Sequence, residues 1–289
     1  MKLFIMMAIT YFFISCTNRN DITNEVEKII ENKDLKLGIG IYDFENDEIY
    51  LYNGHDKFPM QSVYKLPIVI EILDLVDKNQ LRLDDKINIS KEDLHPNIYS
   101  PIRDKYPNGV EMSLSEIILY TIANSDNVGC DVLIKLGGGI DSIGNFMTKN
   151  NLSDISIKNY EREIQSNWEI QFENWATPAA IINLLKQFNN NRLLNPNTTD
   201  YLWSVMTQSN TGSINRLLSS DIIVGYKTGS SGVGENGVIA ALNCAGIMKQ
   251  EEKEIAFAIF ITDSKEDRET NMNIIAQIGK IIDNFYLKN

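Results

Sequence analysis

Met60-Gln61-Ser62-Val63-Tyr64-Lys65-Leu66-Pro67 stands directly ahead of the apolar run Ile68-Val69-Ile70-Glu71-Ile72-Leu73-Asp74-Leu75-Val76, and the chain is organised around this junction. Residues three apart share a helix face, so Ser62 Oγ and the Lys65 ammonium fall within hydrogen-bond reach of each other. Ser62 falls at the helix N-terminus, where unpaired N–H groups and the dipole favour developing negative charge. A lysine whose charge is disfavoured by burial can take the hydroxyl proton, giving an activated serine without a histidine. Pro67 fits the same placement, because proline is tolerated in a first helical turn and breaks a helix interior. A solvated Ser-x-x-Lys on an ordinary helix is the competing reading, since so short a motif recurs by accident. The apolar run weighs against it: such a helix is buried, and a polar head on it is conspicuous.

Outward from that junction, the 289 residues suffice for one large domain or two closely joined ones. With 43% hydrophobic and 23% charged residues, 7 Pro and 17 Gly, disorder, collagen and coiled coil are excluded. The net charge of −12 gives nucleic-acid backbone binding no electrostatic support. Residues 1–15, MKLFIMMAITYFFIS, read as a secretory signal whose apolar stretch is short for a bilayer span. Phe13-Ile14-Ser15-Cys16 resembles a lipoprotein cleavage box. Cys16 is therefore a candidate lipidation site, with plain secretion and nearby cleavage as the alternative. Residues 16–23 are then a polar tether. Cys130 and Cys244 lie in apolar patterns and read as buried free thiols. His55 and His95 lack second-ligand spacing, and HExxH and CxxC are absent, so neither a metal site nor a cofactor is expected.

Helical spacing marks residues 22–33, and Lys36 to Tyr52 reads as a hairpin turning at Glu45-Asn46-Asp47. Residues 90–110 are loop-like. Ser113-Leu114-Ser115-Glu116 opens a helix with a capping-box pattern, and helical segments continue over 128–136 and 140–149. Residues 151–177 read as a polar loop, followed by helices over 178–188 and 198–208. Strands are expected over 222–228, 237–248 and 255–262, then an amphipathic helix over 267–286. The fold class this implies is α/β, of the α+β two-layer kind. Its antiparallel sheet comes from residues 24–61 and 206–289 and is flanked by the terminal helices. A mostly helical domain, residues 62–205, is inserted, with the Ser62 helix at the junction where clefts form.

Ser125-Asp126-Asn127, between two helical stretches, is alone an ordinary turn. Lys227-Thr228-Gly229-Ser230-Ser231-Gly232 is alone a glycine-bearing turn at the end of a strand, where a lysine can meet an anion. In this order with Ser62-x-x-Lys65, the three form the signature set of the penicillin-recognising serine enzymes. The chain resembles class A serine β-lactamases over roughly residues 24–289. FPMQSVYKLP, SDNVGCDVLIKLGGG, NWATPAA and YKTGSSG are most similar to the PER/VEB/CfxA-type subgroup.

The resemblance implies Ser62 as the acylated nucleophile, Lys65 as its proton acceptor and Ser125 as the relay to the departing lactam nitrogen. Asn127 would hold the substrate amide, and Asp126 would brace the turn. Lys227, Thr228, Gly229 and Ser230 would bind the substrate carboxylate, with Tyr99 as an aromatic gatekeeper. The backbone N–H groups of Ser62 and Ser230 would form the oxyanion hole. Glu161 would activate the deacylating water, with Glu163 as its rival. Three positions depart from many relatives. Gln165 stands where asparagine is usual, and Asn159 and Asn174 replace an Arg–Asp brace. Asn236 stands where a carboxylate-binding arginine is found; Arg216 either substitutes for it or is a surface residue. The implied activity is hydrolysis of β-lactam antibiotics by a monomeric periplasmic or membrane-tethered enzyme. A penicillin-binding transpeptidase or carboxypeptidase, or a non-hydrolysing β-lactam sensor, shares the motifs but lacks a well-placed deacylating carboxylate.

Overall fold

The computed structural model describes residues 19–288; the signal segment 1–15 and Cys16 lie outside them. A helix at 19–30 (α1) opens the fold. It takes in residues 19–23, expected as tether, because Ile22 and Val26 bury fully against the sheet. The strands β1 (Lys36–Asp43) and β2 (Glu48–Tyr52) form the expected hairpin, and β3 (Ile223–Ser230), β4 (Leu242–Gln250) and β5 (Lys253–Thr262) return to it. All neighbours are antiparallel, in the order β2-β1-β5-β4-β3, so β3 is an edge strand.

The alternation along β1 shows why both faces of this sheet are covered. Leu37, Ile39 and Ile41 point to one side and join α1 and the C-terminal helix in one core. Gly38 and Gly40 point to the other, where a Cβ would lie 2.4 Å from the Phe58 ring or 2.6 Å from Ile182. Their missing side chains let the helical part of the chain press onto the strand. That part is built around α2 (Lys65–Asp77), whose first nine residues are all buried. Around it lie α3 (Leu114–Ala123), α4 (Asn127–Leu136), α5 (Ile140–Lys149), α6 (Pro178–Asn189) and α7 (Pro196–Met206). Ser113 and Glu116 form the capping box that starts α3, and Asp126 caps α4. The C-terminal helix α8 (Arg268–Ile282) starts at its cap Asp267 and ends in a π-helical turn, Asp283–Leu287. Cys130 and Cys244 are both buried and free.

Three further expectations need correction. Residues 90–110 are not merely loop: Ser100 caps a short helix, Pro101–Lys105, and Val110–Ser113 pairs with Lys86–Ile89. Residues 151–177 contain a one-turn helix, Glu161–Ile164, and a 3₁₀ turn, Trp168–Phe172. The two-residue strands Ile155–Ser156 and Trp175–Ala176 also fall in this stretch. The strand expected from residue 237 begins at Leu242; Asn236 sits in the preceding loop, its Oδ1 accepting from Val238 N–H at 3.1 Å.

Candidate active site

Gln61–Tyr64 forms a 3₁₀ turn that runs straight into α2, bringing Ser62 and Lys65 onto one side. Lys65 is fully buried, and its Nζ donates to Ser62 Oγ at 2.9 Å, Ser125 O at 2.8 Å and Asn127 Oδ1 at 2.5 Å. Those three acceptors use its three protons. Glu161 Oε1 nevertheless lies 3.0 Å from the same Nζ, paired by charge without an aligned N–H. Burying such a pair is tolerable because polar groups meet the ammonium on every side.

Ser125 sits in the turn between α3 and α4 at φ +58, a left-handed conformation held by its neighbours. Asp126 supplies much of that hold. It is fully buried and accepts from Ser100 Oγ, Ile102 N–H and Gly129 N–H; burial raises its pKa. It braces the turn, as expected, and is absent from the cleft lining. Ser125 Oγ accepts from Lys227 Nζ at 2.9 Å and lies 3.5 Å from Lys65 Nζ. Lys227 is also fully buried, and burial first, then the nearby Lys65 charge, push its pKa well down. Lys227 Nζ donates to the Ser125 oxygen with Lys65 Nζ close by, so the Ser125 hydroxyl keeps its own proton free for the cleft.

The free edge of β3 forms the opposite wall. Ser231 N–H donates to Ala241 O at 2.9 Å, so by ladder alternation the Ser230 N–H turns away from β4 toward the open edge. Gly229 allows the closest approach: a Cβ there would lie 2.4 Å from Met60 O and 3.1 Å from Ser62 N. Thr228 faces the cleft with its hydroxyl 2.7 Å from Thr211 Oγ1. Tyr99 is 59% exposed at the lip, and its carbonyl accepts the Asn127 N–H at 3.1 Å. Gln165 is exposed and also lines the cleft, whose volume is about 320 Å³.

The two candidate carboxylates of the 151–177 segment part company. Glu163 folds back to accept the Tyr160 N–H at 2.8 Å, capping the one-turn helix. Glu161, 3% exposed, faces Lys65. Asn174 and Asn159 still brace the segment without an ion pair. Asn174 Oδ1 accepts from Lys158 and Asn159 N–H, and its Nδ2 donates to Asn159 O at 2.9 Å. Arg216 does not reach the cleft: its guanidinium pairs with Glu269 on α8, at 2.5 Å. Arg268, at the start of α8, lines the cleft instead.

Arg268 carried no sequence signal. Two further residues were within reach of one. Gln61, adjacent to the nucleophile, is buried at φ +47 and donates to Gln171 Oε1 at 2.7 Å. Asp131, one helical turn after Asn127, accepts the Glu161 N–H at 2.7 Å and the Arg162 N–H at 3.2 Å. The site thus offers a serine with a buried amine, a second serine between two amines, a paired carboxylate and an edge-strand N–H at Ser230. That is equipment for acyl transfer through a covalent ester.

Comparison with known proteins agrees. The family model described as the beta-lactamase enzyme family matches residues 21–286. The chain is 38% identical to beta-lactamase VEB-1 of Pseudomonas aeruginosa, covering 99% of this chain and 98% of that protein. The crystal structure of the TLA-1 extended spectrum beta-lactamase superposes with a TM-score of 0.90 at 37% identity, covering 93% of this chain and 99% of that one. A beta-lactamase from Chitinophaga pinensis DSM 2588 gives a TM-score of 0.88 at 35% identity, covering 91% of this chain and 98% of that one. Extended over almost the whole length at such identity, these matches leave one assignment: the chain belongs to the beta-lactamase enzyme family.

Proposed function

We propose that this class A serine β-lactamase opens the β-lactam amide through an ester on Ser62 and releases the product with water activated by Glu161. Before attack, Glu161 takes a proton from Lys65, its ion-pair partner, leaving a neutral amine beside Ser62 Oγ. Lys65 then accepts the hydroxyl proton as Ser62 adds to the lactam carbonyl, and the oxyanion forms against the Ser62 and Ser230 N–H groups. Ser125 gives its proton to the departing nitrogen and is reprotonated from the lysine side. Lys227, Thr228 and Ser230 meet the substrate carboxylate, Asn127 its side-chain amide, and Tyr99 closes the lip. Glu161 then returns its proton to Lys65, and in the second half-reaction its carboxylate removes a proton from water as that water attacks the ester, while Lys65 reprotonates Ser62 Oγ as the ester breaks.

The observation that carries the hydrolase reading over a transpeptidase or sensor is the Glu161 carboxylate, buried and 3.0 Å from Lys65 Nζ. The test is nitrocefin turnover by the purified chain, with Ser62→Ala and Glu161→Gln beside it. Ser62→Ala should abolish turnover. Glu161→Gln should acylate more slowly and deacylate more slowly still, by roughly 10²–10⁴-fold, so the drug's mass accumulates on Ser62. Turnover persisting in both variants would refute the mechanism. The reading extends to a monomer, and to export to the periplasm with lipid on Cys16, these last two supported by the sequence of the first sixteen residues.

A further inference from the structure

We propose that Asn243 is a positioning residue for the oxyanion hole: its side-chain amide grips the backbone just ahead of the nucleophile and fixes where the Ser62 N–H points. The inference rests on the reading of the Ser62 and Ser230 N–H groups as that hole.

Asn243 lies on β4 and is 1% exposed. It is paired with Gly229 of β3, and paired residues of an antiparallel ladder project to the same face. Because Gly229 has no side chain, Met60 O occupies the space where one would begin. Asn243 reaches the same space from the neighbouring strand. Its Nδ2 donates to two consecutive carbonyls, Pro59 O at 2.8 Å and Met60 O at 3.1 Å. Both contacts are to acceptors, so the NH₂ end of the amide must face them. From the other side, Met60 N–H donates to Asn174 O at 2.9 Å. Met60 is therefore clamped at both polar atoms.

The next residue, Gln61, is held at φ +47, a conformation sparsely populated for a residue with a Cβ. It persists only if its surroundings over-determine it. The φ and ψ of Gln61 set the plane of the peptide that carries the Ser62 N–H. Releasing the carbonyls at 59 and 60 lets that turn relax and swings the donor away from its partner on Ser230. Both donors of the amide thus fall on the segment that aims the reacting serine.

The test uses the purified enzyme with Asn243→Asp and Asn243→Leu, plus Ile247→Ala, which removes buried apolar volume further along the same face of β4. The acylation rate constant with nitrocefin is followed in stopped flow. In a Glu161→Gln background, the infrared stretch of the ester carbonyl reports the hydrogen bonds it receives. At pH 8 the carboxylate that Asn243→Asp introduces would face two carbonyl oxygens. Acylation should fall roughly 10–100-fold, below the 10²–10³-fold typical of deleting an oxyanion donor. The ester stretch should move to higher frequency. Toward pH 5 the protonated carboxyl again donates one hydrogen, and both readouts should recover in part. Asn243→Leu should show the same losses without recovery, whereas Ile247→Ala should lower thermal stability and leave the stretch unmoved. Wild-type acylation and stretch in folded Asn243→Asp at pH 8 would overturn the proposal, as would an equal shift in Ile247→Ala. A wild-type enzyme that never acylates on Ser62 is a separate result; it removes the reading beneath the inference and the inference with it.

Discussion

Asp131 shows how much a single carboxylate can hold in this site. It sits under the Glu161 turn, accepting both leading N–H groups, and burial, then the Glu161 charge, push its pKa up to about 7. A carboxyl raised in the folded state favours folding while protonated, so its contribution is present at acidic pH and is lost as pH rises through 7. At about 1.4 kcal/mol per unit, the native state should lose on the order of 2–4 kcal/mol between pH 4 and pH 8 from this group. Asp131→Asn keeps one acceptor for the Glu161 N–H and removes the titration. Urea unfolding at both pH values should show a smaller loss for the variant, and an identical pH slope in the two proteins would reject the assignment. Arg268 and Arg216 make a second pair of single-residue tests. Arg268→Ala should raise KM several-fold for carboxylate-bearing substrates, since an exposed charge contact is worth up to about 1 kcal/mol. Arg216→Ala, paired with Glu269 outside the cleft, should leave KM unchanged; the opposite result would restore Arg216 as the anchor. At this scale the sequence exposed Ser62, Lys65, Ser125 and Lys227 because their spacing is a motif. It left Glu161 and Glu163 as rivals, because only the folded turn decides which carboxylate caps and which faces the lysine.

The 151–177 segment holds its shape through short pieces with little periodicity. A two-residue strand or a four-residue helical turn gives neither a 2-residue nor a 3.6-residue pattern room to repeat, so the stretch reads as loop. The same limit hid Pro101–Lys105 and the strand pair at 86–89 and 110–113. Long elements such as α3 and α8 were legible because caps and apolar stripes mark them independently. What substitutes for regular structure here is Asn174, fully buried with three hydrogen bonds to the backbone of residues 158 and 159. Asn174→Ala leaves those polar groups unmet and should destabilise the protein by about 2–4 kcal/mol. Because Glu161 follows two residues after Asn159, the loosened segment should also let the carboxylate drift from Lys65. Single-turnover kinetics should then show deacylation slowed more than acylation. Equal slowing of both steps would mean that Asn174 supports the fold alone and does not place Glu161.

For the molecule as a whole, the sheet joins the two ends of the chain: β1 lies between β2 and β5, with α1 and α8 on one face. The strand patterns were readable, but the register of β1 on β5 was not, since it brings together residues more than two hundred positions apart. This closure bears on anchoring. Only Thr17 and Asn18 separate Cys16 from α1, and Ile22 and Val26 fix that helix into the core. At no more than about 3.6 Å per residue, lipid on Cys16 would hold the folded body within roughly a Debye length of the headgroups. A body with a net charge of −12 is repelled by an anionic bilayer, so attraction of the protein surface to lipid cannot supply the retention. On the lipidated reading acyl chains would do so, and one chain binds only marginally, which calls for more than one on Cys16. Cells expressing the full chain should therefore carry β-lactamase activity in the membrane fraction, and washing with 1 M salt should not release it. Cys16→Ala should move the activity to the soluble periplasm with its specific activity unchanged, because the residues that line the cleft begin at Gln61. Soluble activity from both proteins would refute lipidation and leave plain secretion, and release of the wild type by salt would place the attachment on the protein surface instead.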